Sequence, residues 1–287
     1  TPANNIINAL KGRNAIVVAP SPKGASTLAL LLEFIHAELD RVGAPRDLVQ
    51  MLPAPVTREH TFALMRQADL VVATGSQTNV RAAYESGTPA LGVGAGNVAV
   101  IVDETADVAD AAAKIAASKA FDNATSCSSE NSVVAVAAVC DALLAAFARE
   151  GGILLNGEET RRLQDEMFPG GKLAPEVVAK SAPAIAALAG LVRPELDGAR
   201  FLIVEQDGVD PAHPFSGEKL SPVLALYRVA DFAAAAGLAA RLLGHQGADP
   251  LRRLTVNADE LQADPVPLAS ALGIHRGKVA DSSPHVG

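Results

Sequence analysis

The sequence predicts an α/β fold in which a mainly parallel sheet is covered by helices. Short apolar runs of strand length alternate with segments whose apolar residues recur every three or four positions. Pro and Gly close those runs, as at Pro20, Pro22 and Gly24 and again at Pro53 and Pro55. The resulting β-α-β-α order argues for parallel pairing under helical cover.

The elements follow in order. Residues 15–19 form the first strand, and residues 26–42 a helix on the spacing of Leu28, Leu31, Leu32, Ile35 and Leu39. Residues 48–52 are a second strand, and residues 57–67 a helix that Thr57 can cap. A third strand over 70–73 runs straight into Thr74, Gly75 and Ser76 and a helix through Tyr84. Strands at 89–93 and 98–102 precede a helix over 107–120, with Asp107 favourable at its positive end. In the second half, residues 132–136 read as strand and 141–149 as a helix broken by Gly151 and Gly152. Residues 158–167 read as a polar, solvated helix, and the Ala-rich residues 179–188 as a closely packed one. Strands at 200–204 and 223–227 and a helix at 231–243 complete the pattern. After Gly247 the chain has several Pro, no aromatic residue and weak periodicity, and no structure is assigned there.

Composition excludes several classes. At roughly 150 residues per domain, 287 residues suggest two domains, large enough to bury a core without staples. Lys and Arg number 24 against 32 Asp and Glu, a net charge of −8, and no basic stripe appears, so no nucleic-acid partner is expected. With 49% hydrophobic residues the chain is not expected to be disordered. Its apolar stretches are broken well short of the ~18 residues of a membrane span, and its opening residues show no signal-peptide pattern. The two cysteines, Cys127 and Cys140, make no disulfide framework, so the expected compartment is a reducing cytoplasm. The six His show no metal-ligand spacing, and no metal is expected.

Three stretches carry chemistry-bearing residues. The passage Thr74-Gly75-Ser76 opens a helix after a strand, where backbone N–H groups and a hydroxyl can cradle a phosphate. It is equally the pattern of an ordinary capped helix. The loop Phe121-Asp122-Asn123-Ala124-Thr125-Ser126-Cys127-Ser128-Ser129-Glu130 surrounds one thiol with polar groups. Cys127 there reads either as an exposed nucleophile or as a buried free cysteine, and no His adjoins it. Cys140, beside Val139, Leu143 and Leu144, fits the buried role. In Gly217-Glu218-Lys219-Leu220-Ser221-Pro222 the carboxylate of Glu218 can accept sugar hydroxyls, or it is a surface Glu before an edge strand.

Taken together these three stretches resemble the aldehyde dehydrogenase superfamily: a Thr74-Gly75-Ser76 phosphate turn, Cys127 four residues after Asn123, and Glu218 four residues before Pro222. The strings Gly87-Thr88-Pro89-Ala90-Leu91-Gly92-Val93-Gly94-Ala95-Gly96-Asn97 and Asp103-Glu104-Thr105-Ala106-Asp107, with the Cys127 loop, resemble its CoA-acylating branch. The resemblance covers about residues 1–246. It implies a Rossmann-type, parallel-sheet nucleotide domain over residues 1–122 and a second α/β, catalytic domain over residues 123–246. Residues 247–287 do not match. Family members carry a further N-terminal portion, with an Asn that stabilises the oxyanion, ahead of the part resembled by Thr1 onward.

What the resemblance implies chemically is a short aldehyde, CoA and NAD or NADP joined through a Cys127 thioester, with Cys127 and Asn123 as catalytic residues. Sulfoacetaldehyde is the first-choice substrate, with acetaldehyde or another short aldehyde next. Thr74, Gly75, Ser76, Pro20, Lys23 and Glu218 are the implied nucleotide-binding residues, Glu218 beside the nicotinamide ribose. Ala19 and Pro22 stand roughly where relatives often place a ribose-binding Lys and Glu, so Lys23 leaves a 2′-phosphate acceptable. Residues 91–97 contain no acid. Hydrolytic relatives use a Glu there to activate water, and its absence fits acyl transfer to a thiol. A homo-oligomer is implied as well. The alternatives are a non-catalytic nucleotide-binding fragment and, more distantly, an acyl-phosphate reductase.

Overall fold

A computed structural model describes residues 2–75, 77–94 and 96–245. Contacts divide the chain into two compact units, Thr1–Gly94 and Ala95–Gly287. The expected tail, 247–287, lies outside the described residues, as does Ser76.

The first unit contains α1 (Pro2–Lys11), β1 (Ile16–Val18), α2 (Ala25–Arg41), β2 (Val49–Met51), α3 (Arg58–Gln67), β3 (Val71–Thr74), α4 (Gln77–Glu85) and β4 (Ala90–Val93). β1 pairs with β2 and β3 with β4, both parallel, with Ile16 opposite Val49 and Val71 opposite Ala90. The leucine stripe of α2 does what its spacing predicts: Leu28, Leu32 and Leu39 are buried with Ile6 and Val49. The Thr57 side chain accepts the His60 N–H at 3.1 Å and starts α3 as expected.

The second unit is built on a five-stranded parallel sheet in the order β5-β6-β9-β8-β7. Its elements are β5 (Val98–Val102), α5 (Val108–Ala120), β6 (Glu130–Val136), α6 (Ala137–Arg149), β7 (Gly152–Leu154), α7 (Gly157–Met167), α8 (Ala182–Leu188), β8 (Phe201–Glu205), β9 (Val223–Val229) and α9 (Phe232–His245). Alternate strand residues face opposite sides. Val100, Val102, Val133, Ala135, Leu224 and Leu226 pack with Ile115, Cys140 and Phe147 of α5 and α6. Ala99, Ile101, Val134, Val223, Ala225 and Tyr227 pack with Leu163, Ile185 and Leu242 of α7, α8 and α9. Both faces are therefore covered, and the strands read as unbroken apolar runs.

The compact units divide at Gly94, and β5, which pairs with β6, belongs to the later sheet. Two expectations about helices change. The helix expected over 179–188 starts at Ala182, since Ala179 adopts a left-handed φ of 62° and Pro183 occupies the first turn. α7 is not wholly solvated: Leu163 and Met167, one turn apart, are buried.

Candidate active site

In the first unit the strand-turn-helix passage forms as predicted. β3 ends at Thr74, Gly75 takes φ 114°, and α4 begins at Gln77. A side chain would be strained at that φ, which explains the glycine. Among the described residues, its chain neighbours apart, no atom lies within 4 Å of where a Gly75 Cβ would sit. The Gly75 N–H itself donates to the Val93 carbonyl at 3.2 Å. A helix start presents backbone N–H groups toward the preceding turn, the kind of donor that phosphates bind. Pro20 and the exposed Lys23 follow β1, Lys23 in the short turn Pro22–Gly24 that leads into α2. Both groups stand at carboxyl ends of parallel strands, where α/β sheets bind ligands.

The second unit carries the thiol. Cys127 is exposed on the loop between α5 and β6, and Cys140 is buried in α6. The reading of Cys127 as a buried cysteine is thereby corrected, and it holds for Cys140. The loop enters through three consecutive left-handed residues, Asp122 (φ 49°), Asn123 (φ 49°) and Ala124 (φ 57°). Non-glycine residues rarely adopt this conformation, and each such residue stores on the order of 1 kcal/mol or more. Local hydrogen bonds hold the turn. Thr125 Oγ1 donates to the Asp122 carboxylate at 2.6 Å, and Asn123 Nδ2 donates to the Ala179 carbonyl at 3.1 Å. The Ala179 N–H in turn donates to the Leu220 carbonyl at 3.0 Å, and Leu220 is also left-handed, with φ 45°. Asn123 thus ties the Cys127 loop to the segment that carries Glu218.

Gly96 brings the two closer. A Cβ on Gly96 would meet the Cys127 carbonyl at 2.9 Å and Glu218 Oε1 at 3.5 Å. The Gly96 N–H donates to the Glu218 carboxylate. Glu218 is half-buried, not the surface residue of the alternative reading. Burial pushes its carboxyl up, while the Gly96 N–H and the ammonium groups of Lys219 and Lys119 pull it back.

Four residues that sequence reasoning missed build the wall behind this site. Lys119 is 1% exposed, and burial pushes its ammonium down to about 7 against the opposing pull of Glu130 and Glu218. Its signal was present: Lys119 continues the stripe of Ala112, Ile115 and Ala116 on the buried face of α5. Lys219 Nζ donates to the carbonyls of Phe215 (2.6 Å), Gly217 (3.0 Å) and Asn131 (3.0 Å), so three acceptors meet its three donors. Burial and Lys119 push Lys219 well below the usual ammonium range. Asn131 Oδ1 accepts the Lys219 N–H at 3.1 Å. Asn97 Nδ2 donates to the carbonyls of Ser216 at 2.8 Å and Leu242 at 2.7 Å, pinning the start of β5 to the Glu218 segment and to α9. No spacing rule singles out Asn97 or Asn131, because their partners lie far away in the chain. Among the described residues no group of His, Cys, Asp and Glu is placed to hold a metal ion, and no helix is long and apolar enough to cross a membrane.

The chain has known relatives. The chain is 61% identical over 248 residues to the acylating sulfoacetaldehyde dehydrogenase of Cupriavidus necator, covering 86% of this chain and 50% of that protein. It thus spans about half the length of that curated relative. An engineered glycolyl-CoA reductase with bound NADP+ superposes with a TM-score of 0.81 at 28% identity, over 93% of this chain and 59% of that one. Rhodopseudomonas palustris propionaldehyde dehydrogenase with bound propionyl-CoA gives a TM-score of 0.78 at 28% identity, over 90% and 56%. The model of the aldehyde dehydrogenase family matches residues 1–160, and the chain belongs to that family.

Proposed function

We propose that this chain carries the nucleotide-binding and thiol-bearing parts of an acylating aldehyde dehydrogenase, which converts a short aldehyde, CoA and NAD(P)+ to an acyl-CoA. The observation that carries the reading is the exposed Cys127, on a strained loop joined through Gly96 to the carboxylate of Glu218. The 61% identity to an acylating sulfoacetaldehyde dehydrogenase supports sulfoacetaldehyde as the substrate.

In this reading the Cys127 thiolate adds to the aldehyde carbon and forms a thiohemiacetal. The nucleotide, when bound, accepts the hydride from that carbon, and the hydroxyl proton leaves to solvent. A thioester remains on Cys127. The CoA thiolate then adds to the thioester carbonyl, and Cys127 departs as a thiolate. Residues 91–97 contain no acid, and a side chain at Gly96 would meet the Cys127 carbonyl. Water therefore lacks a base from that segment, whereas a thiol nucleophile with a pKa of about 8.5 is partly ionised near neutrality.

Nucleotide binding is assigned to Thr74, Gly75 and Ser76 with Pro20 and Lys23 in the first unit, and to Glu218 in the second. The open space at Gly75 and the helix start at Gln77 fit a diphosphate. The half-buried Glu218 fits an acceptor of ribose hydroxyls. The engineered reductase that holds NADP+ and the propionaldehyde dehydrogenase that holds propionyl-CoA support both co-substrates. Two unpaired cysteines fit a reducing cytoplasm. Assembly into a homo-oligomer belongs to the same proposal: Val192 is 95% exposed, and next to it Arg193 bonds the carbonyl of Leu154 on the edge strand β7.

The test is nucleotide reduction with aldehyde, with and without CoA, followed by product analysis. Steady turnover is expected with CoA and a single burst without it. Sustained release of free acid without CoA would contradict acyl transfer and point to a base such as Glu104 or Glu130.

A further inference from the structure

Resting on Cys127 as the nucleophile, we propose that the hydroxyls of Ser126 and Ser128 form a subsite for a sulfonate group one methylene away from the reacting carbon. The two serines flank Cys127, and all three residues are exposed. The Ser129 N–H donates to the Ser126 carbonyl at 3.0 Å and folds residues 126–129 into one turn. That turn brings the two hydroxyl oxygens to 2.8 Å from each other, and the Ser128 N–H also reaches Ser126 Oγ at 3.4 Å. A hydroxyl has one hydrogen to donate. The pair shares one and keeps the other for an acceptor beside the thiol. Ser129 Oγ, in the same turn, is buried without a hydrogen-bond partner.

The type of anion follows from what the loop lacks. Residues 121–131 hold no Lys or Arg. A carboxylate is a concentrated, strongly hydrated charge, and leaving water for neutral donors alone is costly for it. A sulfonate spreads its charge over three weakly basic oxygens and gives up less hydration, so neutral hydroxyls suffice. Of the two carboxylates within residues 121–131, Asp122 is engaged by Thr125 at 2.6 Å, and Glu130, at the start of β6, acts on the buried Lys119. Hydroxyls on the residues immediately before and after the nucleophile suit a group only one methylene from the reacting carbon. A longer tail would carry its anion past them.

The experiment needs no turnover. 2-Bromoethanesulfonate places its electrophilic carbon one methylene from sulfur, as in an aldehyde bearing a sulfonate on its α-carbon. Its alkylation rate at Cys127 is compared with those of 3-bromopropionate and 2-bromoethanol by mass spectrometry of the digested protein. Each rate is divided by that of N-acetylcysteine, and variants are further normalised to their own iodoacetamide rate. The wild-type protein is expected to favour the sulfonate by roughly 10-fold over both other reagents, the effect of one hydrogen bond to a charged group. Ser126→Ala and Ser128→Ala together are expected to reduce that preference to about one. Cys140, 0% exposed, stays unlabelled while the protein is folded and reports on the variants. A wild-type ratio equal to that of N-acetylcysteine, an equal preference for the carboxylate, or a preference unchanged in the double variant would overturn the subsite. Failure of iodoacetamide to label Cys127 in folded protein would instead overturn the nucleophile assignment and, with it, the subsite.

Discussion

Cys127 lies open to solvent after α5, whereas Cys140 is buried among Leu143, Val133 and Ile115, and burial pushes its thiol up. Thiolate and access both govern alkylation. Iodoacetamide at neutral pH is expected to label Cys127 at least about tenfold faster than Cys140, read by peptide mapping. Equal rates in folded protein would contradict the assignment. Lys119 offers a second test at this scale. Its pKa falls from 10.5 to about 7 in the folded state, so between those values the unfolded chain binds the extra proton. Stability from this group therefore rises with pH across that window, by on the order of 1 kcal/mol per pH unit. Lys219, also pushed down, adds to the same rise, so Lys119→Met should reduce the slope between pH 7.5 and 9.5 in urea titrations by on the order of 1 kcal/mol per pH unit without abolishing it. An unchanged slope would mean that Lys119 is not buried as described.

At the scale of elements, β5 shows how placement of one end serves the site. Its residues Val98–Val102 are those predicted from the sequence, because an unbroken apolar run of five suits a strand covered on both faces. The residues just before it were not legible. Gly96 and Asn97 act through Cys127, Glu218, Ser216 and Leu242, and such long-range contacts leave no periodic trace. α1 and β7 escaped notice for the opposite reason: β7 has three residues and α1 buries only Ile6, so neither carries enough pattern. Asn97→Ala would remove the buried side-chain donor from the Ser216 and Leu242 carbonyls. A loss of about 2–4 kcal/mol is expected, measured by urea unfolding, with faster alkylation of Cys140 as the core loosens. A loss below about 0.5 kcal/mol would show that the Asn97 hydrogen bonds do not hold the Glu218 segment.

For the whole molecule, the alternation of strands and helices made the α/β class readable, whereas the polar residues around Cys127 left its exposure as one of two readings. Two things were hidden. The division at Gly94 depends on which sheet β5 joins, a choice of pairing and not of local propensity. The charged wall of Lys119, Glu130, Glu218 and Lys219 depends on tertiary contact between α5, β6 and the segment before β9. The central proposal is that Cys127 exchanges an acyl group with CoA. The direct measurement is the reverse half-reaction: the chain is incubated with acetyl-CoA, followed by intact-mass and peptide analysis. The expected result is one acetyl adduct on Cys127, discharged by free CoA or by neutral hydroxylamine, as a thioester is, and absent in Cys127→Ala. No adduct at Cys127, or an adduct confined to Cys140, would contradict it.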